Sequence, residues 1–166
     1  MVEKRTEGVL SWDDTFMGIA KLIAQRSKDP NTQVGAVIVG KDKRILSLGY
    51  NGMPAGMSDD LNIWERDGDE LCQKYTYICH AEENAILNYR GNFGSLEGST
   101  IYVSLFPCNN CAKQIVQSGI KKVIYESDKY NGTPMNIASK RILDAAGVEY
   151  ISLNKIIDVT VKINNK

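Results

Sequence analysis

The chain has 166 residues, 20 Lys plus Arg against 20 Asp plus Glu for a formal net charge of zero, four cysteines and a single histidine. Length of this order builds one domain with a sound core, and 43% hydrophobic with 24% charged residues excludes a disordered, collagen-like or disulfide-scaffold chain. Zero net charge offers no general attraction to nucleic acid or an anionic membrane, and no apolar run approaches the roughly 18–20 residues of a membrane span. Lys4 and Arg5 have no apolar stretch behind them that would make a leader. These features predict a soluble cytoplasmic protein whose cysteines are thiols or metal ligands rather than disulfides.

Residues 12–26 carry Trp12, Phe16, Ile19, Ala20 and Ile23 at helical spacing, with Ser11 available as N-cap. The β-branched runs at 34–39 and 44–49, separated by KDKR, predict an antiparallel hairpin. Residues 51–72, rich in Gly, Asp, Pro and Met, form a long loop, a length that usually signals function or disorder. A helix is expected from about His80 to Tyr89, with glycines 91, 94 and 98 breaking the chain after it. TIYVSL at 100–105 is a strand. Pro107 is placed to begin a helix to about Ser118, stopped by Gly119. Strand 121–127, helix 134–146 ended by Gly147, and strand VEYISL follow. The pattern predicts one mixed sheet with helices on both faces. A single domain with its core at about 11–153 is expected, and the tail 154–166 can make an edge strand or pack on a partner.

The informative pair of segments is His80-Ala81-Glu82 and Pro107-Cys108-Asn109-Asn110-Cys111. Each half alone is weak, since C-x-x-C also serves redox pairs and zinc ribbons. Together they match H-x-E…P-C-x-x-C, a zinc deaminase signature. His80 and Glu82 fall at the start of one helix. Cys108 and Cys111, three apart, share a face at the start of another, where the helix dipole favours thiolates. Three ligands leave a fourth tetrahedral position for water, as in catalytic rather than structural zinc, and zinc lowers the pKa of such a water to about 7. No second histidine exists to close the shell, and Cys79 stands too close to His80 to join it easily. Glu82 is then the proton carrier rather than a ligand, and Glu83 is an ordinary acidic residue of a helix start.

At these residues the chain resembles the cytidine and deoxycytidylate deaminase family. The resemblance rests on SKDPNTQVGAVIV at 27–39, GYNGMPAGMSDD at 49–60, KYTYICHAEENAI at 74–86, LFPCNNCAK at 105–113, GIKKVIY at 119–125 and SDKY at 127–130. It implies an αβα sandwich around a sheet of about five strands, and hydrolytic deamination of dCMP to dUMP on catalytic zinc. It also implies a homohexamer activated by dCTP and inhibited by dTTP, each bound with magnesium. His80, Cys108 and Cys111 match the zinc ligands and Glu82 the catalytic residue. Val34, Gly35, Ala36, Asn51, Lys74, Tyr77, Ala81 and Tyr130 match substrate positions, with Lys74, Tyr77 and Tyr130 around the nucleotide phosphate and sugar. Arg26, Ser27, Asn31, Gly49, Asn51 and Gly52 are candidates for effector contacts. Glu83 departs from the apolar residue many members carry there.

Two other classes compete. A tRNA or DNA deaminase needs a basic surface, which zero net charge does not supply. A zinc-stapled interaction module needs the three ligands but has no use for Glu82.

Overall fold

The computed structural model describes residues 5–58, 64–91 and 96–164. Helix α1 (Trp12–Ala24) starts at Ser11, whose hydroxyl accepts the Asp14 N–H at 3.1 Å, with Asp13 and Asp14 set against the positive end of the helix. The hairpin follows as β1 (Gly35–Val39) and β2 (Ile45–Tyr50). Two single 3-10 turns, Glu70–Cys72 and Lys74–Thr76, lead into α2 (Ala81–Leu87). Then β3 (Thr100–Leu105), α3 (Asn109–Gln117), β4 (Lys122–Ser127), α4 (Pro134–Ala145) and β5 (Glu149–Ser152) alternate. The expected glycine-rich loop at 51–72 falls partly outside the described residues, at 59–63, as does the expected break at position 94.

The sheet has strand order β2-β1-β3-β4-β5. β1 is antiparallel to both β2 and β3, while β3, β4 and β5 run parallel. Every residue of β1 is buried, which explains an apolar run without alternation: this strand is covered on both faces. On one face α1 packs Phe16, Met17 and Ala20 against Val37, Val39, Tyr102 and Ile124. On the other, Ala81 and Ala85 of α2 and Ala112 and Ile115 of α3 pack with Leu143 of α4 against Ala36, Ile38, Ile101, Val103 and Val123. The mixed sheet between helix layers expected from the sequence is therefore present.

Two glycines let helices touch the sheet. A Cβ on Gly35 would stand 1.9 Å from the Ala20 carbonyl oxygen of α1, and one on Gly49 2.5 Å from the Ala81 carbonyl oxygen of α2. The second contact seats α2, and with it the first metal-binding segment.

The last described residues make no edge strand. They turn back over α1: the Ile157 N–H donates to Glu126 at 2.8 Å, Gln25 donates to the Val159 carbonyl at 3.0 Å, and Ile157 packs on the α1 face of the core. Among the described residues no helix is long and apolar enough to cross a membrane.

Candidate active site

Because β1 runs against β3, the entry to β1 lies beside the exit of β3. A cavity of about 360 Å³ opens there, walled by Val34 on one side and Leu105, Phe106, Pro107 and Cys108 on the other. This is the crevice at the carboxyl end of a strand that open α/β sheets use for ligands.

His80 is the N-cap of α2 and Cys108 the N-cap of α3, both with extended backbone, so each side chain projects beyond its helix start. Pro107 does not begin the helix as its type suggests. It is fully buried, with its carbonyl accepting the Ser139 hydroxyl at 2.8 Å. That anchor holds Pro107 in the loop and passes the capping position to Cys108. His80 Nδ1 lies 3.4 Å from both Cys108 Sγ and Cys111 Sγ. Tetrahedral zinc with Zn–S of about 2.3 Å and Zn–N of about 2.0–2.1 Å requires N···S separations of about 3.6 Å. Both His80–cysteine separations come close to that spacing, all three ligand atoms lie within 4.8 Å of one another, and the donor set is one that zinc prefers. Among the described residues no fourth His, Cys, Asp or Glu joins the group. Cys79 and Cys72 stand apart from it.

As three protein groups alone, they share protons unevenly. Hydrogen bonding from Cys111, aided by His80, holds the Cys108 thiol down at about 4. The same contact with Cys108 pushes Cys111 well up, and Cys108 lifts His80 to about 9. A bound cation overrides this ordering, because a coordinating thiol is deprotonated outright. Glu82, the second residue of α2, is 4% exposed and lies on the cavity wall with His80 and Cys108. Burial is the main cause that raises its carboxyl to about 7. Glu83 faces the other way, accepting the His80 N–H at 3.4 Å and the Gln114 amide of α3 at 3.3 Å. It ties together the two helix starts that carry the ligands.

The expected substrate residues separate. Val34, Asn51, Lys74, Ala81 and Tyr130 line the cavity; Gly35, Ala36 and Tyr77 do not. Gly35 packs against α1 and its N–H goes to the Ser104 hydroxyl at 3.1 Å. Ala36 is in the core, and the Tyr77 hydroxyl donates to the Leu71 carbonyl at 2.9 Å. Tyr75 lines the cavity instead. Asn51 fixes the wall: its Oδ1 accepts the Val34 N–H at 2.8 Å and its Nδ2 donates to the Thr32 carbonyl at 3.0 Å.

Lys74 is 3% exposed and ion-paired with Asp29, itself 1% exposed. Asp29 also accepts the N–H groups of Asn31 and Thr32 at 2.8 and 3.2 Å. Sequence reasoning missed Asp29, because an Asp before Pro reads as a turn residue. Thr32, Ile78, Thr133, Met135 and Asn136 also line the cavity without a sequence signal.

The expected effector positions are spread out. Arg26 is exposed after α1, and Ser27 and Asn31 belong to the turn around Asp29. Gly49 is the contact with α2, and Gly52 pairs with Cys79 through two backbone hydrogen bonds of 2.9 and 3.1 Å.

Fold and site together give a cavity with a buried carboxyl beside a His-Cys-Cys group that fits zinc, the arrangement of a metal-dependent hydrolase. The sequence matches the model of the cytidine and deoxycytidylate deaminase zinc-binding region over residues 10–127. Deoxycytidylate deaminase of Pongo abelii is 50% identical over 148 residues, 89% of this chain and 82% of that protein. Deoxycytidylate deaminase of enterobacteria phage T2 is 36% identical, covering 86% of this chain and 92% of that one. The structure of dCMP deaminase from cyanophage S-TIM5 in complex with dCMP and dUMP superposes with a TM-score of 0.67 at 29% identity, over 84% of this chain and 95% of that one. The chain belongs to the cytidine and deoxycytidylate deaminase family, hydrolases that act on carbon–nitrogen bonds.

Proposed function

We propose that the protein catalyses the hydrolytic deamination of dCMP to dUMP, with zinc held by His80, Cys108 and Cys111 and with Glu82 carrying protons. The observation that carries this reading is the buried Glu82 carboxyl sharing one cavity wall with His80 and Cys108. A purely structural zinc site has no use for it. The deoxycytidylate deaminases at 50% and 36% identity support dCMP as substrate.

When bound, zinc supplies a Lewis acid that brings the pKa of a coordinated water towards about 7. Glu82 accepts one proton of the attacking water and delivers it to ring nitrogen N3 as the water oxygen bonds to C4. It then carries the second proton to the amino nitrogen, the C4–N4 bond breaks, and ammonia leaves. Val34, Ala81 and the Asn51 that holds Val34 form the wall for base and sugar, and Tyr130 closes the far side. Gly35 and Ala36 support that wall from behind, and Tyr77 steadies the turn that carries Lys74.

The reading extends to a cytoplasmic homohexamer, activated by dCTP and inhibited by dTTP, each with magnesium. Arg26, Ser27, Asn31, Gly49, Asn51 and Gly52 are its candidate effector contacts, and the family resemblance supports it. Sigmoidal dCMP dependence that dCTP relieves and dTTP deepens is the expected outcome, since an effector acts only by binding two states differently. Hyperbolic kinetics indifferent to both would remove the regulatory part.

The central test is ammonia release across dCMP, CMP, deoxycytidine and dCTP. The expected result is a preference for dCMP over deoxycytidine of at least about tenfold, the scale of a charge-assisted hydrogen bond. Comparable rates on the two would refute nucleotide recognition.

A further inference from the structure

One side of the cavity hangs on a single buried carboxylate. Asp29 lines the cavity, and both its oxygens are engaged within the protein. Oδ1 accepts the Asn31 and Thr32 N–H groups at 2.8 and 3.2 Å and so closes the turn before β1. Oδ2 takes the Lys74 ammonium and the Asn51 amide nitrogen, the latter at 3.3 Å. Asn51 is itself buried and lines the same cavity. An asparagine amide has two N–H donors and an oxygen with two lone pairs. Both donors of Asn51 are spent, one on Asp29 and one on the Thr32 carbonyl at 3.0 Å. Among the described hydrogen bonds its oxygen accepts only the Val34 N–H, at 2.8 Å, so one lone pair is left. Turning the amide over would set its nitrogen against the Val34 N–H and its oxygen against the Asp29 carboxylate. Each of those contacts leaves a buried polar group unpaired, which is costly.

We propose that Asp29 is a positioning residue: it locks the Asn51 amide so that this wall accepts a hydrogen bond from a ligand and cannot donate one. The assignment rests on dCMP being the substrate. Apart from its phosphate, dCMP carries two donor groups, the 4-amino group and the 3′-hydroxyl. In the proposed reaction the amino group leaves at the metal end beside Glu82, so the 3′-hydroxyl is the donor that remains for Asn51. Asp29 acts through Asn51 and not on the reacting atoms. Lys74 is the other polar group that Asp29 holds. An ammonium only donates, so it cannot take the place of the Asn51 oxygen. Were Lys74 to read the sugar, it would do so through a lone pair on the 3′ substituent, and a substituent without a proton would serve as well.

The test measures kcat/KM of the zinc-loaded protein on dCMP and on its 3′-deoxy and 3′-fluoro analogues. The wild type is expected to prefer dCMP over the 3′-deoxy analogue by at least about fivefold, the scale of one neutral hydrogen bond. The 3′-fluoro analogue, which cannot donate, should fare no better than the 3′-deoxy one. Asp29→Asn combined with Lys74→Met keeps an oxygen for the Asn31 and Thr32 N–H groups and removes the ammonium that would lose its partner. It also sets an amide nitrogen against that of Asn51, so the preference for dCMP should shrink to about twofold or less. Lys74→Met alone leaves the carboxylate on Asn51, and its preference should stay within about twofold of the wild type even if KM rises for all three compounds. The assignment is overturned if the double variant, folded by its thermal unfolding curve, keeps the wild-type preference, or if Lys74→Met loses it to the same extent. A 3′-fluoro analogue turned over as well as dCMP by the wild type overturns it without any variant, as does a wild type indifferent to the 3′-hydroxyl. Wild-type protein that fails to turn over dCMP refutes the substrate reading and this assignment together. Wild-type preference that persists in the double variant refutes the assignment alone.

Discussion

The two ends of the cavity are built by different means. At the metal end the three ligands come from two helix starts, and local capping geometry aims them at one point. At the opposite end nothing is local. Asp29 from the segment before β1 meets Lys74 across 45 positions, and Arg66 meets Tyr130 across 64. The metal end can be assembled from short-range rules once α2 and α3 are seated on the sheet. The other end exists only when loops from several parts of the chain have closed on one another. In the proposed function, chemistry belongs to the locally specified end and substrate selection to the end set by tertiary closure.

This contrast can be broken or sharpened by substitution. Glu82→Gln is expected to lower turnover by about a thousandfold while zinc content and unfolding temperature stay near wild type. Metal analysis beside a rate assay checks it, and retained activity would remove Glu82 from the mechanism. Cys108→Ala should lose both zinc and turnover, because three ligands are the minimum seen in catalytic sites; one zinc per chain in that variant would contradict the ligand assignment. Zinc retention should also weaken as pH falls, since protons compete for the ligands. At the other end Asp29→Asn leaves a buried lysine unpaired and should cost about 3–5 kcal/mol of stability. Denaturant titration reads this directly, and a loss below about 1 kcal/mol would show that the pair is not held in a dry environment. The smallest effect is expected for Glu83→Leu. It removes two long hydrogen bonds, so stability should change by no more than about 1 kcal/mol and the rate by less than about threefold.

Legibility in the sequence follows the same division. His80, Glu82, Cys108 and Cys111 could be read because their chemistry depends on short spacings and on helix starts, both visible in one dimension. The five strands could be read because a buried central strand such as GAVIV leaves a continuous apolar run. Asp29 could not, because its role is defined by Lys74. Tyr75 and Tyr77 could be distinguished only once the 3-10 turn at Lys74–Thr76 fixed which ring faces the cavity. The close approach of Gly35 to the α1 backbone could not be read from the sequence, because it depends on how the helix is seated on the sheet.

The most direct test of the central claim is to follow dCMP turnover in oxygen-18 water, with mass analysis of the product and a parallel count of ammonia. The account predicts dUMP carrying one solvent oxygen at C4, one ammonia released per dUMP, and neither product in Glu82→Gln. Unlabelled product, product without ammonia, or no turnover of dCMP by the zinc-loaded protein would contradict it.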